Sequence, residues 1–162
     1  MVKQVRAGVL LLATVLFSPL LVLAQTQDSW IGTWKLNLAK SKYEPANLAP
    51  KSQTLRQEAA AGGAVRTVVD VVDAQGKSQH LEFMVTFDGK SVALQGAADA
   101  NITRVYKRID SRSYEYAQSV AGKQTTTVRA VVSADGKTRT HTTTGRNAQG
   151  QTVNSVAVFE RQ

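Results

Sequence analysis

The 162-residue chain has no cysteine, two histidines and three prolines, and aromatic residues make up 6% of it. Without cysteine there is no disulfide, no thiolate nucleophile and no thiolate metal centre. Lipid attachment of the lipoprotein kind is excluded too, because it needs a cysteine at the cleavage point. His80 and His141 are the only imidazoles, and no ligand pair has the spacing of a zinc site. His141 shares a strand face with Arg139, which disfavours its protonated form. No Gly-x-Ser-x-Gly elbow is present. The segments at Asp73, Asp88 and Asp135 combine acids with glycine but lack the ligand series of a calcium loop. Nothing selects a glycosidase-type pair from the 12 Asp and Glu residues. The sequence therefore points to no cofactor, no metal and no enzyme.

Also missing is any run of three or more consecutive Lys or Arg; the densest basic stretch is Arg104, Lys107, Arg108 and Arg112. The formal charge of +8 suits a soluble protein and leaves an anionic envelope component open as a partner. Arg104, Tyr106 and Arg108 on one strand face could stack and pair with nucleic acid. An ordinary solvated sheet face explains them better, so nucleic acid is not expected.

What is present begins with a leader. Lys3 and Arg6 precede the apolar stretch Ala7 to Leu23, and Val22-Leu23-Ala24 forms a small-residue cleavage site before Gln25. Residues 1–24 read as a signal peptide, and 25–162 as one domain exported to the periplasm or secreted. The alternative is a retained anchor, since the apolar stretch could cross a thinned bilayer. After cleavage no stable membrane span is expected. A domain of about 138 residues can bury a sufficient core without disulfides.

Beyond residue 30 the chain alternates. Trp34, Leu36 and Leu38 interleave with Thr33, Lys35 and Asn37, the signature of a strand with one buried face. Residues 39–52, with Pro45 and Pro50, read as a connection. Further strands are expected at 53–60, 64–72, 78–87, 91–96, 101–109, 114–121, 124–133, 138–145 and 151–161, separated by Asp-Gly and Asn-x-x-Gly turns that supply positive φ. Inward sets are Val65, Thr67, Val69 and Val71; Leu81, Phe83, Val85 and Phe87; and Val128, Ala130 and Val132. Segments 101–109 and 138–145 resist the rule, and their registers stay open. No segment keeps a 3.6-residue period, which argues against βαβ units. About ten antiparallel strands in a meander remove their edges by closing into a barrel; a β-sandwich is the alternative.

The ends of this region carry a family resemblance. Gly32-x-Trp34 with Lys35-Leu36 resembles the first strand of the calycins, the β-barrels that include lipocalins and fatty-acid-binding proteins. Ala157-Val158-Phe159-Glu160-Arg161 resembles the last strand of a fatty-acid-binding protein. The resemblance implies an all-β, up-and-down, lipocalin-like barrel of the exported bacterial type, closed at the bottom by Gly32, Trp34 and Arg161. It also implies what is missing. The positions matching the Arg and Tyr that grip a ligand carboxylate are Ala157 and Phe159, so that grip is not expected.

The function expected is non-covalent binding of a small, mostly apolar or amphipathic molecule inside the barrel. Val69, Leu81, Phe83, Val85, Phe87, Ala157 and Phe159 would form the wall. Arg104 or Arg108 at the mouth, with Tyr106, Tyr114 or Tyr116, would meet an anionic group. The alternative is a filled barrel serving as a structural or interaction module of the envelope through its basic surface.

Overall fold

The computed structural model describes residues 28–94 and 101–162; the signal peptide read at 1–24 lies outside them. Ten strands form one antiparallel sheet: β1 (Gly32–Lys42), β2 (Ser52–Ala59), β3 (Val65–Val72), β4 (Ser78–Val85), β5 (Ser91–Ala93), β6 (Ile102–Arg108), β7 (Ser113–Val120), β8 (Lys123–Val132), β9 (Thr138–Arg146) and β10 (Thr152–Arg161). Their order is β4-β3-β2-β1-β10-β9-β8-β7-β6-β5. Apart from β4 and β5, consecutive strands pair, and β1 pairs with β10. β4 and β5 meet without a ladder between them. The result is a nearly closed up-and-down barrel. The sandwich alternative is set aside by this single continuous sheet.

The turns show why the meander forms. In four of them, an Asp or Asn oxygen accepts hydrogen bonds from backbone two to four residues on, mimicking a turn of main chain. Asp73 Oδ1 takes the Lys77 N–H at 2.8 Å, Asp88 Oδ1 the Lys90 N–H at 3.1 Å, and Asp135 Oδ1 the Lys137 N–H at 3.1 Å. Asn147 Oδ1 takes two, from Gln149 and Gln151. Gly76, Gly89, Gly136 and Gly150 complete these turns at positive φ. The acids serve as turn residues.

Leu38 departs from the expectation. It is 42% exposed, because β1 leaves the β10 ladder between Asn37 and Lys42. Asn37 drives that break locally: its Oδ1 accepts the Lys40 N–H and its carbonyl accepts the Ser41 hydroxyl. The connection expected over 39–52 is correspondingly shorter, since β1 runs to Lys42, and it holds a single 3-10 turn at Ala46–Leu48.

The interior has two unlike halves. From β2, β3 and β4 come Leu55, Val65, Val69, Leu81, Phe83 and Val85, all buried. From β6, β7 and β9 come Tyr106, Tyr114 and Arg139, also buried. Cross-strand registers Val69↔Leu81 and Thr67↔Phe83 place the apolar set on one continuous wall. Each such side chain contributes roughly 1.5–3 kcal/mol by leaving water.

Candidate functional site

One end of the barrel is sealed by aromatic rings and guanidinium groups. Trp30 and Trp34 are fully buried, and the Trp34 indole donates to the Trp30 carbonyl at 2.8 Å. The Arg161 guanidinium lies 4.2 Å from the centre of the Trp34 ring and donates to the carbonyls of Ile31 (3.0 Å), Gly136 (2.7 Å) and Ser29. Gly32 makes room for it: a Cβ there, at φ +130°, would stand 2.6 Å from Arg161 Nη1. The Gly-x-Trp triplet thus has a physical reading, a gap for the arginine beside a ring for it to cover. Trp30 packs edge-on to Tyr114 at 5.3 Å and against Phe87 at 6.1 Å, finishing the plug.

Above this plug is an interior cavity of about 160 Å³. Its apolar lining is Leu55, Val69, Val71, Leu81 and Phe83, with Gln53, Gln57 and Thr67 among them; facing these are Arg104, Tyr106, Tyr114, Tyr116 and His141. An apolar body and a polar head would find separate walls here. The volume falls below the 300–1,000 Å³ of drug-sized sites and matches a cavity that accepts one benzene-sized ring.

Two guanidinium groups enter this interior. Arg139 has no exposed surface; it donates to Gln57 Oε1 at 2.7 Å and to the Tyr114 hydroxyl. Its carbon lies 5.1 Å from the Tyr114 ring and 5.8 Å from that of Trp34. Arg104, half-buried, donates from Nε to Gln118 Oε1 at 2.9 Å and lies 4.6 Å over the Tyr116 ring. Neither forms a salt bridge among the described residues. Burial weakens the Arg139 charge, and the surrounding tyrosines offset part of that effect. Burial also opposes the Arg104 charge, but Tyr116 and Tyr106 outweigh it and raise the group. Tyr106 and Tyr114 are themselves pushed up by burial. Since arginine does not deprotonate in proteins, the interior holds two cations and neutral phenols.

His141 completes the polar wall. Its ring centre is 4.9 Å from that of Phe159, and its buried Nε2 has no hydrogen-bond partner among the described residues. Burial, then Arg139, then Arg104 hold it well below the ordinary value of 6.5, so it is neutral.

The structure brings seven of the residues singled out in the sequence onto the cavity: Val69, Leu81, Phe83, Arg104, Tyr106, Tyr114 and Tyr116. Others it places elsewhere. Val85 and Phe159 are closed into the core, and Phe87 and Ala157 pack against it; they support the wall without lining the cavity. Arg108 is a correction. Four residues along β6 from Arg104, it lies at the plugged end, paired with Asp28 and 5.3 Å from the Trp30 ring centre. Gln57 and His141 also line the cavity, and Arg139 braces it through Gln57 and Tyr114; none of the three was among the expected cavity residues.

The comparisons with known proteins bear on the architecture. No family model matches the chain, and no curated protein matches it by sequence. Crystal structures of the fluorescent protein UnaG match it in shape. The wild type aligns with a TM-score of 0.55 at 17% identity, covering 82% of this chain and 97% of UnaG. Two single-site mutants of UnaG give TM-scores of 0.57 and 0.55 at 16% and 18% identity, each covering 83% of this chain and 96% of the other. The fold is a calycin-like barrel.

Outside the barrel, chemistry is sparse. His80 Nδ1 contacts Asp70 Oδ1 at 2.6 Å on an exposed face, beside the ladder Glu58–Arg66–Glu82. Among the described residues no cluster of three or more His, Asp or Glu could hold a metal ion. No described helix is long and apolar enough to cross a membrane.

Proposed function

We propose that this protein binds a compact amphipathic anion, non-covalently, inside its barrel, and that it does so as an exported protein. The observation that carries the reading is the divided cavity, with Leu55, Val69, Leu81 and Phe83 opposite Arg104, Tyr106, Tyr116 and His141. Arg139 is already engaged by Gln57 and Tyr114; Arg104 is the guanidinium on the cavity wall. Arg104 is half-buried and has no carboxylate partner among the described residues, so an anion beside it would gain a charge-assisted hydrogen bond. The cavity volume favours a body of about one ring. A mostly apolar ligand, expected from the sequence, suits only the β2–β4 side.

Export is supported by Lys3, Arg6, the apolar stretch after them and the small residues before Gln25. Expression with the leader in an exporting host, followed by native mass spectrometry and organic extraction, tests both parts. Cleavage after Ala24 with a co-purifying small acid is expected. An uncleaved chain left in the cytosolic fraction would contradict export. Co-purification of a neutral or cationic molecule would contradict the anion.

A second reading, a filled barrel acting through its basic exterior, is favoured by the small cavity volume. Salt-sensitive binding to anionic vesicles, with no uptake of a small acid, would select it.

A further inference from the structure

An anion bound in the cavity would meet one counter-charge on its wall, Arg104. A second group on the same wall stands without a hydrogen-bond partner among the described residues. His141 sits on β9 two residues from Arg139, lines the cavity, and keeps Nε2 buried with no hydrogen bond to any described residue. Leaving a buried polar atom unsatisfied is destabilising, and such an atom in a cavity wall is a natural contact for an occupant.

Its surroundings are one-sided. Arg104 and Tyr106 reach in from β6, Tyr114 and Tyr116 from β7, and Arg139 from its own strand. Directly opposite His141 on β8 and β10 are Ala130 and Ala157, which bring no charge. Two cations face the imidazole, and among the described residues no carboxylate lines the cavity.

We propose that His141 is the second anchor of the bound anion, donating from Nε2 to the carboxylate opposite Arg104 and taking up one proton as the anion enters. The proposal rests on the anion-binding reading and assigns its second contact. The step balances simply: neutral imidazole and one solvent proton form imidazolium, a single N–H bond is made, and the added charges of imidazolium and carboxylate cancel. In the empty barrel burial, Arg139 and Arg104 keep the proton off His141; an anion within hydrogen-bond reach reverses that balance. By reciprocity, the factor by which the anion raises proton affinity is the factor by which the proton raises anion affinity. The site would thus hold its acid more firmly as pH falls.

Calorimetry of the folded protein with benzoate as probe tests this. Titrations run from pH 6 to 8, where benzoate stays ionised, in two buffers of unlike ionisation enthalpy, so that protons are counted directly. Benzyl alcohol is the neutral control. Wild type should take up a substantial fraction of one proton and bind about four- to tenfold more tightly at pH 6 than at pH 8. His141→Gln should bind more weakly, with no uptake and a flat profile. Zero uptake in wild type, or uptake that persists in His141→Gln, overturns the proposal. Binding of benzyl alcohol without benzoate overturns it while leaving the cavity as a ligand site; binding of neither overturns both. Should His141→Gln fail to fold, the ring signals of His141 in wild type, titrated with and without benzoate, decide the same question. An imidazole whose proton affinity rises with benzoate supports the proposal, and one whose proton affinity is unmoved contradicts it.

Discussion

Arg161 covers Trp34: they are cross-strand partners on β10 and β1, and the guanidinium carbon stands 4.2 Å from the ring centre. The contact ties the last strand to the first and, through the carbonyls of Ser29, Ile31 and Gly136, to two adjoining turns. Its strength combines a cation–π term of about 0.5–1 kcal/mol with hydrogen bonds that only a forked cation satisfies together. Arg161→Ala should cost about 1–2 kcal/mol in urea unfolding. Arg161→Lys should recover less than half, because an ammonium cannot reach three carbonyls in the same geometry.

The fully buried cation, Arg139, depends on Gln57. Gln57 Oε1 accepts from Arg139, while its amide donates to Thr67 at 3.2 Å. Gln57→Leu should destabilise by about 1–3 kcal/mol, since it removes an acceptor from a charged group that water cannot reach. Measured by chemical unfolding, the loss should shrink in the double variant with Arg139→Met, where the charge is gone too.

Gly145 marks a tight backbone approach in the barrel. It sits at φ +134°, and a Cβ there would stand 2.3 Å from the Thr125 carbonyl oxygen. Because the neighbour is backbone, the β8–β9 ladder must shift. Gly145→Ala should lower stability by at least about 2 kcal/mol, whereas Gly89→Ala, with open space around its Cβ, should lose only the strain of its positive φ.

Much of this architecture is legible in the alternation. Leu81, Phe83 and Val85 read inward because they interleave with His80, Glu82 and Met84, and the ladder to β3 keeps that parity. The site is legible in part. Arg104 and Tyr106 share a face in any register, so their proximity follows from spacing. Arg139 and His141 do not stand out, because β9 is largely threonine and offers no hydrophobic contrast. An arginine facing the core also opposes the rule that assigns faces. The signal that places Arg139 is one strand away on either side: its partners in register are Phe159 on β10 and Val132 on β8, and both face inward. Arg108 misleads for the converse reason. It has the parity of Arg104, but the barrel's length carries it to the opposite end, onto Trp30.

His141 gives the fold an acid sensitivity. Its folded-state proton affinity lies well below the ordinary 6.5, so below pH 6.5 the unfolded chain binds a proton that the native barrel does not. Stability contributed by the neutral ring is therefore present above that pH and declines as pH falls, with a slope of at most about 1.4 kcal/mol per unit for one proton. The turn acids Asp88, Asp110 and Asp135, held low by backbone and hydroxyl donors, titrate only at lower pH. Urea midpoints between pH 7 and 5 should fall in wild type and stay nearly level in His141→Gln.

Anion selection by the interior is proposed to run through Arg104. The most direct measurement compares the dissociation constants of benzoate and benzyl alcohol at pH 6 for wild type and Arg104→Gln, with circular dichroism verifying the fold. A charge-assisted hydrogen bond of about 1.5–3 kcal/mol predicts that wild type prefers benzoate by tenfold or more. Arg104→Gln should lose that preference while its affinity for benzyl alcohol stays within about twofold. Equal affinities in wild type, or a preference that survives in Arg104→Gln, would contradict the account.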